Sequence, residues 1–146
     1  MRIAVGSDHA GFVLKEHVRA TLASAGHDVV DVGTHTADSV DYPGFAADAA
    51  RLVAAGEADR AVLACGSGNG VAIVANKVSG IRAVNAHDAR EAEMARRHND
   101  INVVTLSGAA LHAGEADAIV EAFLQTPAEG GRHARRVGQI GELERG

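Results

Sequence analysis

The chain of 146 residues has no tryptophan, one tyrosine, three phenylalanines, two prolines and a single cysteine. One cysteine excludes an intrachain disulfide and any metal site built from several thiolates, and it fits a reducing compartment. With aromatics at 3%, the core must be built from Val, Ala, Leu and Ile, and the 47% hydrophobic content supplies them. A positive balance is also missing: the net charge of −5 argues against a general nucleic-acid or membrane-surface binder. No stretch approaches the ~20 apolar residues of a membrane span. The opening "MRIAVGSDHAG" carries one Arg and a short β-like run where a signal peptide would have a longer apolar stretch. The expectation is a cytoplasmic protein. Its length fits a single domain, residues 1–146, without linker, repeat or low-complexity tract.

What is present is a regular alternation. "RIAVGS" (2–7), 27–33, "RAVLAC" (60–65), 81–86 and 102–108 read as short apolar strands. Between them, 11–26, 43–55, 71–78, 87–98 and 114–125 read as helices, with Pro43 opening one and Gly56 closing it. A last basic stretch, "RHARRVGQIGELER", reads as a further helix. Strand–helix alternation throughout implies right-handed βαβ units. The fold class is therefore α/β: a three-layer, Rossmann-like sandwich around a five-stranded parallel sheet. Ligands of such folds sit beyond the carboxyl ends of the strands. "GSDHAG", "THTADSVDYPG", "CGSGNG" and the segment after the fifth strand fall there.

"CGSGNG" (65–70) joins a strand to a helix, so its backbone N–H groups can converge on an anion. Three sharper labels fail at one position. A dinucleotide fingerprint needs Gly, and a cysteine phosphatase loop needs Arg, where Val71 stands; a P-loop needs Lys directly after its last glycine. Cys65 lies just before a helix start, where a thiol's pKa can be lowered, with Ser67 as a hydrogen-bond partner. Buried free cysteine is equally common. The local pattern leaves both readings open.

Other polar residues have two readings as well. Asp8 suits a helix cap, and with His9 it also suits sugar hydroxyls. His98, beside Asn99, suits the helix dipole or proton transfer near neutrality. Arg132 and Arg136 share a helical face beside Arg135, as a solvated patch or as bidentate phosphate ligands reaching toward a partner subunit. The eight histidines look scattered, with His17, His27, His87 and His112 read as surface or structural, and no metal site is expected. A non-catalytic sugar-phosphate or nucleotide sensor and a cysteine hydrolase are the competing classes.

Taken together, "GSDHAGF", "DYP", "CGSGNG", "ANK", "SGIRA", "RRHNDINV" and "GGRH" resemble the type B ribose-5-phosphate isomerase family, across nearly the whole chain and in order. That family also includes galactose-6-phosphate isomerase subunits. The resemblance implies an aldose–ketose isomerase interconverting ribose 5-phosphate and ribulose 5-phosphate through an enediolate, with no metal or other cofactor. It implies a homodimer or a dimer of dimers, with the C-terminal helix packed on a partner subunit and active sites shared between subunits. No nucleic-acid or membrane partner is expected.

Residue by residue, the resemblance makes Cys65 the catalytic base, as in one branch; another branch uses Glu where Val71 stands. His98 falls on the acid that opens the sugar ring. Asp8, His9, Tyr42 and Asn99 fall on substrate positions, and Gly66, Ser67, Gly68, Asn69 and Gly70 on the anion-binding loop. Arg132 and Arg136 match phosphate ligands. One departure stands out: Ala109 replaces a phosphate-binding Arg that the family usually carries after the fifth strand. Arg135 and His112 are the candidates to compensate. A different sugar, phosphorylated or plain, is the alternative substrate.

Overall fold

The computed structural model describes residues 1–146. The five expected strands are β1 (Arg2–Ser7), β2 (Asp28–Asp31), β3 (Arg60–Cys65), β4 (Ala83–Asn85) and β5 (Val103–Ser107). Every pairing is parallel, in the order β2-β1-β3-β5-β4. The helices are α1 (Phe12–Ser24), α2 (Tyr42–Ala54), α3 (Asn69–Ala75), α4 (Ala89–Asn99), α5 (Ala113–Gln125) and α6 (Arg132–Arg145). The fold is the expected Rossmann-like α/β sandwich.

Alternation along the strands sends side chains to both faces, and both faces are covered. Ile3, Val5, Val62, Val104 and Leu106 pack under α1, α4 and α5. Ala4, Ala61, Leu63, Cys65 and Val103 pack under α2 and α3. This double coverage explains why the strands read as unbroken apolar runs. Helix α2 meets the sheet through Ala46, Ala49 and Ala50, all fully buried. With only methyl groups between them, helix and sheet approach closely, and few aromatics are needed.

Several boundaries differ from the sequence expectation, two of them for a visible reason. Helix α3 starts two residues earlier than expected, because Gly68 at φ 80° turns the chain straight into it. Strand β4 is shorter than expected. The Asn76 side chain takes the place of a ladder partner at its start, accepting from Ala83 N–H at 2.8 Å and donating to Ala83 O at 2.9 Å.

From β1 the chain crosses outward to β2 and then returns past β1 to β3. The loops leaving β1 and β3 therefore diverge, and the crevice between their carboxyl ends is the switch point where such sheets take ligands. One buried cation braces its rim. Lys15, 2% exposed, donates from Nζ to Asp31 Oδ2 at 2.9 Å and to Thr34 O at 2.7 Å, fixing the loop after β2.

Candidate active site

Asp8, His9, Tyr42, Cys65 and residues 66–70 all meet at this crevice. Asp8 is buried at the end of β1 and accepts from Gly11 N–H at 3.0 Å; Gly11 is itself the N-cap of α1, so the bond fixes the turn leading into the helix and the expected cap is not made. His9 Nδ1 accepts from Val40 N–H at 3.2 Å, which leaves Nε2 as the protonated ring nitrogen and ties the long loop before α2 to the site. Tyr42 opens α2 and its ring lies against Gly70. A Cβ at residue 70 would stand 2.5 Å from the ring and 2.8 Å from the hydroxyl oxygen.

Cys65 is 4% exposed, and its Sγ accepts from Gly68 N–H at 3.2 Å. Around it, the loop carbonyls are drawn back toward β4 and β5. Cys65 O accepts from Gly108 N–H, and Gly66 O accepts from both Ser107 Oγ and Ala109 N–H. Ser67 O accepts from Asn85 Nδ2, and Gly68 O from Thr105 Oγ1. With the oxygens held on one side, the N–H groups of Gly66, Ser67, Gly70 and Val71 make no hydrogen bond within the chain. Such an array of free, fixed donors suits negative charge. Asn69 N–H is taken by Ser67 Oγ at 3.1 Å. Val71, a position for a base in another branch of the resemblance, is fully buried in the core.

The remaining expected site residues lie elsewhere. Helix α4 runs back from the carboxyl end of the sheet, so His98 and Asn99 in its last turn sit at the amino end. Strands of six residues separate the two ends by roughly 20 Å. Arg132 and Arg136 belong to the same amino end, because α5 also runs back before α6 begins. Buried Arg96 fixes this junction by donating to Thr126 O at 3.0 Å and Ile101 O at 2.6 Å.

The structure corrects the picture of scattered histidines. His98 stacks on His133, with ring centroids 4.2 Å apart and planes within 8° of parallel. Glu129 Oε2 lies 3.6 Å from His98 Nε2 and 3.8 Å from His133 Nε2. Burial, reinforced by His98 and Arg132 nearby, pushes the His133 pKa below its usual value, so this ring favours the neutral form. The trio has metal-ligand chemistry but not metal-ligand geometry. An ion about 2.1 Å from both nitrogens would have to lie in both ring planes, and stacked parallel planes do not meet there.

Comparison with known proteins identifies the lineage. The family model described as Ribose/Galactose Isomerase matches residues 3–140. The chain belongs to the ribose/galactose isomerase family. It is 43% identical over 143 residues to ribose-5-phosphate isomerase B of Escherichia coli K12, covering 98% of this chain and 96% of that one. Ribose-5-phosphate isomerase B of Clostridium thermocellum superposes with a TM-score of 0.98 at 45% identity, covering 99% and 98% of the two chains. The Mycoplasma genitalium ribose-5-phosphate isomerase B with bound ribulose-5-phosphate superposes at 0.94 with 37% identity, covering 99% and 96%. Within this family frame, residue patterns did not signal Asn85, Thr105 or Ser107. Each acts on a partner distant in sequence, and no local motif announces such pairings.

Proposed function

We propose that the chain interconverts ribose 5-phosphate and ribulose 5-phosphate. The observation that carries this reading is the crevice at β1 and β3. It holds one thiol with an N–H on its sulfur, flanked by four free loop amides, in a chain of the isomerase family. The Cys65 thiolate removes the C2 proton of the open-chain aldose. The C2–H electron pair moves into a C1=C2 bond, and negative charge collects on O1. The free amides of residues 66–71 hold that charge, each well-placed donor contributing about 3 kcal/mol. With the O2 proton passed to O1, the sulfur returns its proton to C1, and the carbonyl reforms at C2. A base for this step needs reach and a proton affinity matched to the working pH. Tyr42, Asp8, His9 and Asn69 line the sugar's path.

His98 protonates the ring oxygen and opens the cyclic sugar, with Asn99 beside it, while Arg132 and Arg136 hold the phosphate. These groups act on a substrate at the Cys65 of a second chain, since within one chain they face the wrong end of the sheet. A homodimer supplies the geometry. Its contact surface includes α6, which buries none of its residues within the chain and leaves Leu143 82% exposed, and Ile73 of α3, 61% exposed. The protein acts as one unit on a small sugar phosphate in the cytoplasm, in keeping with the lack of any helix long and apolar enough to cross a membrane.

Ala109 favours a second reading. Its N–H is spent on Gly66 O at 3.1 Å and its side chain is a methyl group, so this position offers no charge to a phosphate. Losing one charge-assisted contact costs roughly 1.5–3 kcal/mol, and a sugar other than ribose 5-phosphate would not miss it. The experiment is a turnover panel of tetroses, pentoses and hexoses, each with and without phosphate. Highest kcat/KM on ribose 5-phosphate supports the first reading; a clear preference for another sugar replaces it.

A further inference from the structure

The peptide unit between Ser67 and Gly68 carries two hydrogen bonds that point in opposite directions. Its N–H, from Gly68, donates to Cys65 Sγ at 3.2 Å. Its carbonyl, from Ser67, accepts from Asn85 Nδ2 at 3.1 Å. In a trans peptide these two groups lie in one plane and point to opposite sides of the C–N bond, so a fixed oxygen also aims the hydrogen. Asn85 cannot turn its amide over. Its nitrogen also donates to Asn69 Oδ1 at 2.8 Å, and reversing it would set two oxygens against each other at Ser67.

Neighbouring contacts lock the adjoining peptide. Thr105, fully buried on β5, donates to Gly68 O at 2.8 Å and lies 3.2 Å from Asn85 Oδ1. Gly68 sits so close under Asn85 that a Cβ there would be 2.2 Å from Oδ1. Asn85 thus reaches from the edge strand β4, past β5, to the loop that follows β3.

We propose that Asn85 is a positioning residue for Cys65, acting through this one peptide. It holds the Gly68 N–H on the sulfur and polarises the peptide, because linked hydrogen bonds strengthen one another. The benefit falls on the charged form, since an N–H donor binds a thiolate more strongly than a thiol. The consequence for turnover rests on Cys65 being the isomerase base; the consequence for the sulfur does not.

Because Cys65 is the only cysteine, alkylation by a small neutral reagent such as chloroacetamide reports on this sulfur alone. The test compares wild type with Asn85→Leu, which keeps the volume and removes the donor. Asn76→Leu is the control. Asn76 makes two comparable hydrogen bonds to Ala83 and does not touch Cys65 or its loop. For Asn85→Leu at neutral pH, we expect alkylation to slow roughly five- to tenfold, the effect of weakening one charge-assisted bond. We expect kcat to fall in parallel, and Asn76→Leu to alter neither rate. Alkylation of folded Asn85→Leu as fast as wild type overturns the proposal, and so does equal slowing in both variants. If Asn85→Leu does not fold, the smaller Asn85→Ala is judged by the same criteria. Slowed alkylation in a protein whose wild type turns over no sugar phosphate leaves the positioning intact and sinks the isomerase reading.

Discussion

Cys65 ends β3 at the carboxyl edge of the sheet, and His98 lies in the last turn of α4 at the amino edge. No rotamer of either side chain spans the roughly 20 Å of strand between them. A reaction that needs both must draw them from two copies of the chain.

The glycine loop tolerates no side chain where Tyr42 rests. Gly70→Ala would place a Cβ 2.5 Å from the Tyr42 ring. The expected outcome is a loss of roughly 1–3 kcal/mol in urea unfolding, typical of overpacking. KM should rise as Tyr42 is displaced. Adding Tyr42→Ala should recover part of the stability, so the two changes should be non-additive.

Lys15 is a buried cation whose main partner is Asp31, with Nζ 2.9 Å from Oδ2. Lys15→Met leaves that carboxylate facing a buried apolar side chain and should cost about 3 kcal/mol of unfolding free energy. Replacing both partners, with Lys15→Met and Asp31→Leu together, should cost less than Lys15→Met alone. A double variant weaker than the sum of the two single changes would contradict the pairing.

His133 makes stability depend on pH. Its folded pKa is lowered, first by burial and then by repulsion from His98 and Arg132. The unfolded chain therefore binds a proton more readily than the folded one. Stability is fully present above the unfolded histidine value of about 6.5 and is lost as pH falls through the folded value. Thermal melts of wild type should decline over that interval. His133→Asn should flatten part of the decline, and an unchanged slope would contradict the assignment.

Much of this was legible in the residues themselves. The five apolar strands, the order of loops at the carboxyl end and the "CGSGNG" turn all follow from local pattern, because backbone preference and burial act over a few neighbours. Asp8 illustrates the limit: a capping bond was expected from its place before a helix, but Gly11 is the N-cap of α1, and Asp8 instead accepts from Gly11 N–H in the turn that precedes it. The clamp of Asn85 and Thr105 on the loop was invisible. It joins residues 18 and 37 positions from their partners, brought together only by the strand order β3-β5-β4. The stacking of His98 on His133 was hidden for the same reason, since it depends on where the turn after α5 returns the chain.

The most direct test is complementation between two inactive variants. Cys65→Ala and His98→Ala chains, each purified and found inactive, are unfolded, mixed in equal amounts and refolded together. If Cys65 of one chain works with His98 of its partner, half the dimers are mixed and each mixed dimer has one intact site. The mixture should then recover about a quarter of wild-type isomerase activity, as a two-fold shared site requires. Activity no greater than that of the two variants refolded separately would contradict the shared site.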